Sequence, residues 1–346
     1  MRFPEFDNLT IVIVTYKGDA LLRGCLDSLR DAGVFGDTRG RRGSAKVVVV
    51  DNSPSAATRS LAGSYGEAVE YVVSPGNPGF AGGNNRAVPF CNRKYVLLLN
   101  NDTVVRHAES IAALVEFLDA HPRCGVAGGT GVLPKSGGAV CGCGAFLSPL
   151  GNVWSYAQSR NPPPDETHTK PCFAVGGFFL MFRREILART RGLFHPNFWC
   201  YYEEIDFCHR VWMAGFEVWY VESPPIEHLM GETAGRFERN RVMRRYLRNI
   251  LFSFKVNLSF LSRLWLVNSF RALILMRGFC HLFRGNGGFA AFKSHVGAIA
   301  DSLGDRRRIL AARRRLSRTR ARGDFAIFRR VMRPQPFSLI RSSLGI

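Results

Sequence analysis

A chain of 346 residues is too long for one small core and fits one large α/β domain with an appendage, or two domains. A hydrophobic fraction of 46% argues against general disorder, and nine cysteines without a regular framework argue against a disulfide-stapled secreted scaffold and for reduced thiols. The net charge of +20 is confined to the C-terminal part: residues 236–346 hold 25 Lys and Arg against 4 Asp and Glu, while residues 1–235 are nearly neutral. The expected division is therefore a neutral α/β domain over 1–235 and a basic helical, membrane-associating region over 236–346. Charge alone does not choose between nucleic acid, anionic lipid and an acidic partner.

In chain order, the opening residues Met1 to Glu5 lack the apolar stretch of a signal peptide. The β-branched run of residues 9–16 predicts a buried strand, and Leu21, Leu22, Cys25, Leu26 and Leu29 recur at helical spacing after it. A Gly/Arg-rich loop over 36–44 leads to a second buried strand at Val47 to Val50, which ends at Asp51. A helix is expected over about 55–65, a short strand over 70–73, a glycine-rich loop over 79–85, and a third buried strand over 95–99 that ends in Asn100-Asn101-Asp102. Strands alternating with helices, with polar residues gathered at the strands' carboxyl ends, predict an open, mostly parallel, Rossmann-like sheet with a ligand crevice at those ends. Residues 125–172 are rich in Gly and Pro and read as irregular loops with short strands. Order returns with an apolar stretch over 173–182, a helix through Phe207, Val211 and Trp212 stopped by Gly215, and a strand over 217–221. From Phe237 a basic amphipathic helix begins. The apolar run of residues 264–283 is interrupted by Arg271 and Arg277, each costing about 2.5–3.5 kcal/mol to insert, which disfavours a spanning helix.

The carboxylates that end strands carry the first chemical signal. Asp102 projects into the expected crevice, where Mg²⁺ or Mn²⁺ would find an oxygen ligand; capping the next helix is the competing role. Asp51 could accept a hydrogen bond from a base or ribose, or serve only the Asp-Asn-Ser-Pro turn. The glycines of residues 79–85 permit close backbone approach to a ligand, yet match neither a Walker loop nor the dinucleotide fingerprint. Glu203, Glu204 and Asp206 crowd three carboxylates beside Trp199, Tyr201 and Tyr202, and such crowding raises at least one pKa toward that of a general base. His228 follows a strand and two prolines. Cys141 and Cys143 form a C-x-C whose distances to Cys124 and Cys172 are irregular for zinc.

Taken in order, these blocks resemble the inverting family 2 glycosyltransferases of GT-A fold, and within them the rhamnosyltransferase-type enzymes of bacterial polysaccharide assembly. The resemblance covers about residues 9–251. It implies nucleotide contacts from Thr15 and Tyr16 at the first strand end, from Asp51 in Val50-Asp51-Asn52-Ser53, from Gly83 and Asn85 in a segment similar to N-x-G-F-x-G-G-x-N, and from Asn101. Leu99-Asn100-Asn101-Asp102 takes the place of the D-x-D motif with Asn100 for its first acid, leaving Asp102 as the metal ligand, with a downstream His, here His228, completing the shell. Tyr202-Glu203-Glu204-Ile205-Asp206 resembles the E-D-x-D block, whose second residue is the base, so Glu204 is implied as base. Gly177, Trp199, Glu203 and Asp206 are implied in acceptor contact or site geometry. Tyr246-Leu247-Arg248-Asn249 is similar to an R-N motif that follows the transferase core.

The implied activity is metal-dependent transfer of a single sugar from a nucleotide-diphosphate donor, dTDP-rhamnose or a UDP-sugar, to a lipid-linked or polysaccharide acceptor. The implied place is the cytoplasmic face of a cell membrane, held there by anionic lipid. Processive synthesis is disfavoured because Q-x-x-R-W is absent. Nucleic acid is disfavoured as a partner because no helix-turn-helix, RNA-recognition or zinc-finger pattern accompanies the Arg clusters. A nucleotidyltransferase would need a Lys-containing glycine-rich loop near its N-terminus.

Overall fold

The computed structural model describes residues 4–38, 41–158, 164–229, 239–283 and 287–336. Eight strands form the central sheet: β1 (Leu9–Thr15), β2 (Lys46–Asp51), β3 (Val69–Val73), β4 (Tyr95–Asn100), β5 (Cys124–Gly128), β6 (Lys170–Pro171), β7 (Phe179–Arg183) and β8 (Glu217–Tyr220). Their spatial order is β6-β8-β5-β7-β4-β1-β2-β3. The half built from β3, β2, β1 and β4 is wholly parallel, and β8 runs parallel to β5. β7 enters antiparallel between β4 and β5, and β6 pairs antiparallel with β8. The apolar runs at 11–13, 47–50 and 96–99 lie at the centre and are buried on both faces, as continuous β-branched strands require.

The helices are α1 (Asp19–Asp31), α2 (Ala56–Gly63), α3 (Gly79–Ala87), α4 (Glu109–Ala120), α5 (Ile186–Thr190), α6 (Glu203–Met213), α7 (Arg239–Asn257), α8 (Phe260–Leu282), α9 (Gly288–Gly304), α10 (Arg306–Leu316) and α11 (Asp324–Val331). A second, small sheet joins the strands Ala139–Gly142, Gly131–Leu133, Ile226–His228 and Thr103–Val104 in that order.

Two local expectations are corrected. Residues 79–85 form the body of α3, not a loop. Gly79 turns the chain at φ 76°, and a Cβ there would lie 2.0 Å from the Trp199 carbonyl oxygen, so tertiary packing overrides the weak helix propensity of three glycines. The Gly/Arg-rich stretch after α1 contributes an antiparallel pair, Phe35–Thr38 with Arg41–Ser44, in place of a loop.

The expected boundary at residue 235 falls outside the described residues. Beyond it, α7 is part of the main core: Leu247, Ile250, Leu251 and Phe254 join the same apolar cluster as Phe207, Val211 and Trp212 of α6. An ionic network crosses between the two helices. Asp206 of α6, 2% exposed, pairs with Arg210 at 2.8 Å and accepts hydrogen bonds of 2.8 Å from both Ser253 and Asn257 of α7. Arg210 in turn donates to the carbonyls of Thr190, Gly192 and Leu193. Asp206, implied by the resemblance in site geometry, is thus an internal strut, held ionised below the usual carboxylate range against its burial, chiefly by the Arg210 charge.

Removing one partner of such a network strands the others in a dry interior. Asp206→Ala is therefore expected to lower stability by about 3–5 kcal/mol, measured from the urea midpoint at constant slope. A loss below about 1 kcal/mol, the range of surface pairs, would contradict the strut.

Candidate active site

Register brings the polar strand ends together: β1 pairs with β2 so that Thr15 lies opposite Asp51, and with β4 so that Val14 lies opposite Asn100. Asn101 donates through its amide to the Thr15 hydroxyl at 3.1 Å. Asp51 is fully buried, and its carboxylate accepts from the Tyr71 hydroxyl and the Ser53 backbone amide, each at 2.8 Å. Tyr16 stands half-buried at the lip of this crevice, with the Lys17 ammonium 5.5 Å from its ring centre. A Cβ at Gly83 would meet Val14 at 2.7 Å and the Asn52 side chain at 3.1 Å, so Gly83 lies close against the ends of β1 and β2, while the Asn85 side chain exchanges two 2.9 Å hydrogen bonds with the Phe194 backbone.

Beyond β4 the chain turns, and the short pairing of Thr103 with His228 sets His228 against Asp102. The Asp102 carboxylate lies 3.3 Å from His228 Nε2, long for a hydrogen bond but within ion-pair range, and the Leu229 amide donates to the Asp102 carbonyl. Asn100 Nδ2 approaches the same imidazole nitrogen at 3.4 Å, and the Phe178 ring stacks on the imidazole at 4.5 Å, tilted by 11°. Asp102 Oδ1, His228 Nδ1 and Asn100 Oδ1 are buried without a hydrogen-bond partner. Buried polar atoms clustered without partners are costly unless a cation or donor joins them, so this cluster suits a divalent ion with oxygen and imidazole ligands. It supplies fewer than three His, Cys, Asp or Glu groups, and no such threefold group occurs among the described residues, so the ligand's own oxygens must complete a coordination shell. Phe178 escapes sequence reasoning because it lies in the apolar run of residues 173–182 and reads as core.

Glu203 and Glu204 open α6. The two preceding residues, Tyr201 and Tyr202, hold φ of 72° and 75°, a conformation uncommon for bulky residues. The buried Asn249 amide of α7 secures them by donating to the carbonyls of Cys200 at 3.2 Å and Tyr201 at 2.7 Å. Trp199 completes the rim: its indole donates to the Asn77 carbonyl at 2.9 Å, and the Arg245 guanidinium lies 4.4 Å from its ring centre.

Of the three carboxylates, Glu203 and Asp206 are buried and Glu204 alone keeps partial surface access, although its carboxyl is deeply desolvated. Burial pushes Glu204 up to about 7, partly offset by the backbone amides of Glu204 and Ile205. Burial, with the Glu204 charge added, raises Glu203 well above the usual carboxylate range. A side chain at residue 177 would meet Glu204 Cβ and the Phe80 ring at 3.4 Å, so Gly177 leaves the approach to Glu204 open. Consecutive residues thus lie beside the two groups: Gly177 next to the Glu204 Cβ, and Phe178 against the His228 ring.

With this geometry, the match of residues 10–189 to the profile of "Glycosyl transferase family 2" decides the family. The chain belongs to glycosyl transferase family 2. A curated member of similar sequence is the low-salt glycan biosynthesis hexosyltransferase Agl10 of Haloferax volcanii, 28% identical over 214 residues, which are 59% of this chain and 61% of that protein. The chain thus matches about three-fifths of the length of that relative. Similar solved structures are the mannosyltransferase PcManGT of Pyrobaculum calidifontis with GDP-Man and Mn²⁺ (TM-score 0.50, 15% identity, 86% of this chain and 87% of that one) and GalNAc-T7 with UDP, GalNAc and Mn²⁺ (TM-score 0.52, 14% identity, 72% and 48%). These likenesses show the GT-A fold, here extended by C-terminal helices.

The raised Glu204 pKa has a sign that stability can test in this family 2 chain. The folded state holds that proton more tightly than the unfolded chain, so the contribution is full below the ordinary carboxylate range and is lost as pH rises through about 7. Thermal denaturation of wild type is expected to show falling stability between about pH 5 and 8, and Glu204→Gln a flatter profile. Parallel profiles would place Glu204 in water.

Proposed function

We propose that this chain transfers a single sugar, with inversion, from a nucleotide-diphosphate donor to a lipid-linked or polysaccharide acceptor at the cytoplasmic face of the cell membrane. The observation that carries the reading is the pairing, across Gly177 and Phe178, of an Asp102–His228 cluster holding unpartnered buried polar atoms with a carboxylate whose pKa burial raises to about 7. The relatives act on hexosyl donors or were solved with GDP-Man or UDP and Mn²⁺, which supports a nucleotide diphosphate and a divalent ion here.

In this reading the strand ends around Thr15, Tyr16, Asp51 and Asn101 receive the nucleoside. Asp102 and His228 would hold Mg²⁺ or Mn²⁺, which when bound supplies Lewis-acid neutralisation of the leaving diphosphate. Glu204, as carboxylate, takes the proton of the acceptor hydroxyl while that oxygen bonds to the anomeric carbon. The carbon's bond to the phosphate oxygen breaks on the opposite side, so the nucleotide diphosphate leaves with the bonding pair and the configuration inverts. Glu203, more buried, positions the turn. Trp199 and Arg245 form the acceptor-side rim. Among sugars and nucleotides, dTDP-rhamnose follows from the rhamnosyltransferase resemblance and UDP-sugars remain the companion choice for a donor screen.

Slow release of nucleoside diphosphate from a donor panel, with Mn²⁺ or Mg²⁺, identifies the donor. With that donor, Asp102→Ala is expected to remove metal-dependent turnover while the protein stays folded; unchanged turnover and metal dependence would refute the ligand assignment. Glu204→Gln keeps size and hydrogen bonding but removes basicity, so single-turnover transfer should fall by about 10²–10⁴ with donor affinity nearly unchanged. If Glu203→Gln proves the dead enzyme and Glu204→Gln remains active, the roles are reversed.

A further inference from the structure

The C-terminal helices leave one large apolar surface uncovered. On α8, Leu261, Leu264, Trp265, Leu275, Phe279 and Phe283 are exposed and recur at spacings of three and four, or their sums, so they lie along one side of a helix of 23 residues. The exposure is large: 75% at Leu261, 58% at Phe279 and 80% at Phe283. The opposite side of α8, through Leu266, Phe270 and Ile274, is buried in the core, so this helix has one face committed to the protein and one to the outside. α9, packed against it, adds exposed Phe289, Val296 and Leu303.

Charge selects the occupant. The acids of this region that the structure describes are already used: Asp301 pairs with Arg244, Asp305 with Arg248, and Asp324 with Arg320. Several of the remaining cations are exposed, among them Arg306, Arg307, Arg314 and Arg315 on α10. Two more sit on the exposed rings themselves, Arg263 over Phe260 at 5.8 Å and Lys293 over Phe289 at 4.6 Å. A second copy would bring the same positive charge to the contact. A bilayer with anionic headgroups offers apolar depth for the rings and counter-charge for the arginines. No described helix is long and apolar enough to cross a membrane, so the face suits lying in the surface.

The position of the helix ties this surface to the site. Tyr246 of α7 packs its ring on Tyr202 at 5.9 Å, and α8 packs against the same helix. We infer that the exposed face of α8 docks in the plane of an anionic lipid surface, so that the acceptor is presented by a lipid. This rests on the transferase reading for the identity of the acceptor, but the docking itself does not.

The test uses the full chain and two separate readouts. Co-sedimentation is measured with vesicles of phosphatidylglycerol and phosphatidylcholine and with phosphatidylcholine alone, for wild type and for the combined variant Leu264→Ser, Leu275→Ser, Phe279→Ser, which changes no charge and removes only exposed apolar groups. Wild type is expected to sediment with the anionic vesicles and to be released by high salt, and the variant to lose about tenfold or more in partitioning. Donor hydrolysis without vesicles should stay within about twofold for the variant, which touches no residue of the crevice. Equal sedimentation of variant and wild type would overturn the docking face. So would a wild-type dimer in sedimentation velocity that the variant dissociates with no vesicle binding in either, since the face would then belong to a second copy. Absent donor hydrolysis with intact vesicle binding would instead refute the transferase reading and leave the docking standing.

Discussion

The arrangement around Glu204 depends on one strained turn and the side chain that holds it. Tyr201 and Tyr202 both adopt positive φ, each costing about 1–3 kcal/mol for a residue with a Cβ. Asn249 offsets part of that cost with two hydrogen bonds to the turn's carbonyls, and Tyr202 adds a fully buried ring packed on Tyr246. The turn sets where α6 begins. The first amides of α6 have no intrahelical acceptors and Tyr202 supplies no side-chain cap, so the amides of Glu204 and Ile205 are free to act on the Glu204 carboxyl and lower its pKa against burial. The strain therefore fixes both the direction of the carboxylate and part of its electrostatic environment.

It follows that α7 is structurally inseparable from the crevice although its composition belongs to the basic block. Its first turns carry exposed arginines and its last turns are buried nearly all round, from Leu247 to Asn257. The change of charge near residue 236 is thus a change in what the surface meets, while the core runs on through Asp206, Ser253 and Asn257. Apolar residues that sequence assigns to a membrane-seeking stripe in α7, Leu247, Ile250, Leu251 and Phe254, are spent inside the protein. Among the described residues, α8 and α9 carry most of the large exposed apolar side chains.

The parts legible in the sequence are those that local periodicity encodes. Continuous β-branched runs gave away β1, β2 and β4, and polar residues at their ends located the crevice, because a parallel strand buried on both faces has nowhere else to put them. Where long-range contact decides, local signals mislead. Glycines at 79, 82 and 83 read as a loop, yet they form a helix because Trp199, Pro78 and Val14 leave no room for side chains. Asp206 sits in the same acidic cluster as Glu203 and Glu204, and only the distant Ser253 and Asn257 reveal that it faces inward. The choice of Glu204 over Glu203 came from resemblance alone. Burial supplies an independent reason, since Glu204 is the one of the three with surface access.

The separation between the Asp102–His228 cluster and Glu204 has its own logic. A carboxylate raised by burial keeps a pKa near neutrality only while strong positive charge stays out of contact, because an adjacent cation would return it to the ordinary range and weaken it as a base. Here Gly177 lies beside the Glu204 Cβ and the Phe80 ring, while the next residue, Phe178, covers His228 with its face. The Arg245 guanidinium is held over the Trp199 ring, 4.4 Å from its centre. Apolar spacers thus let one crevice keep acceptors free for a cation at one end and a weakly acidic carboxyl at the other, two requirements that direct contact would make incompatible.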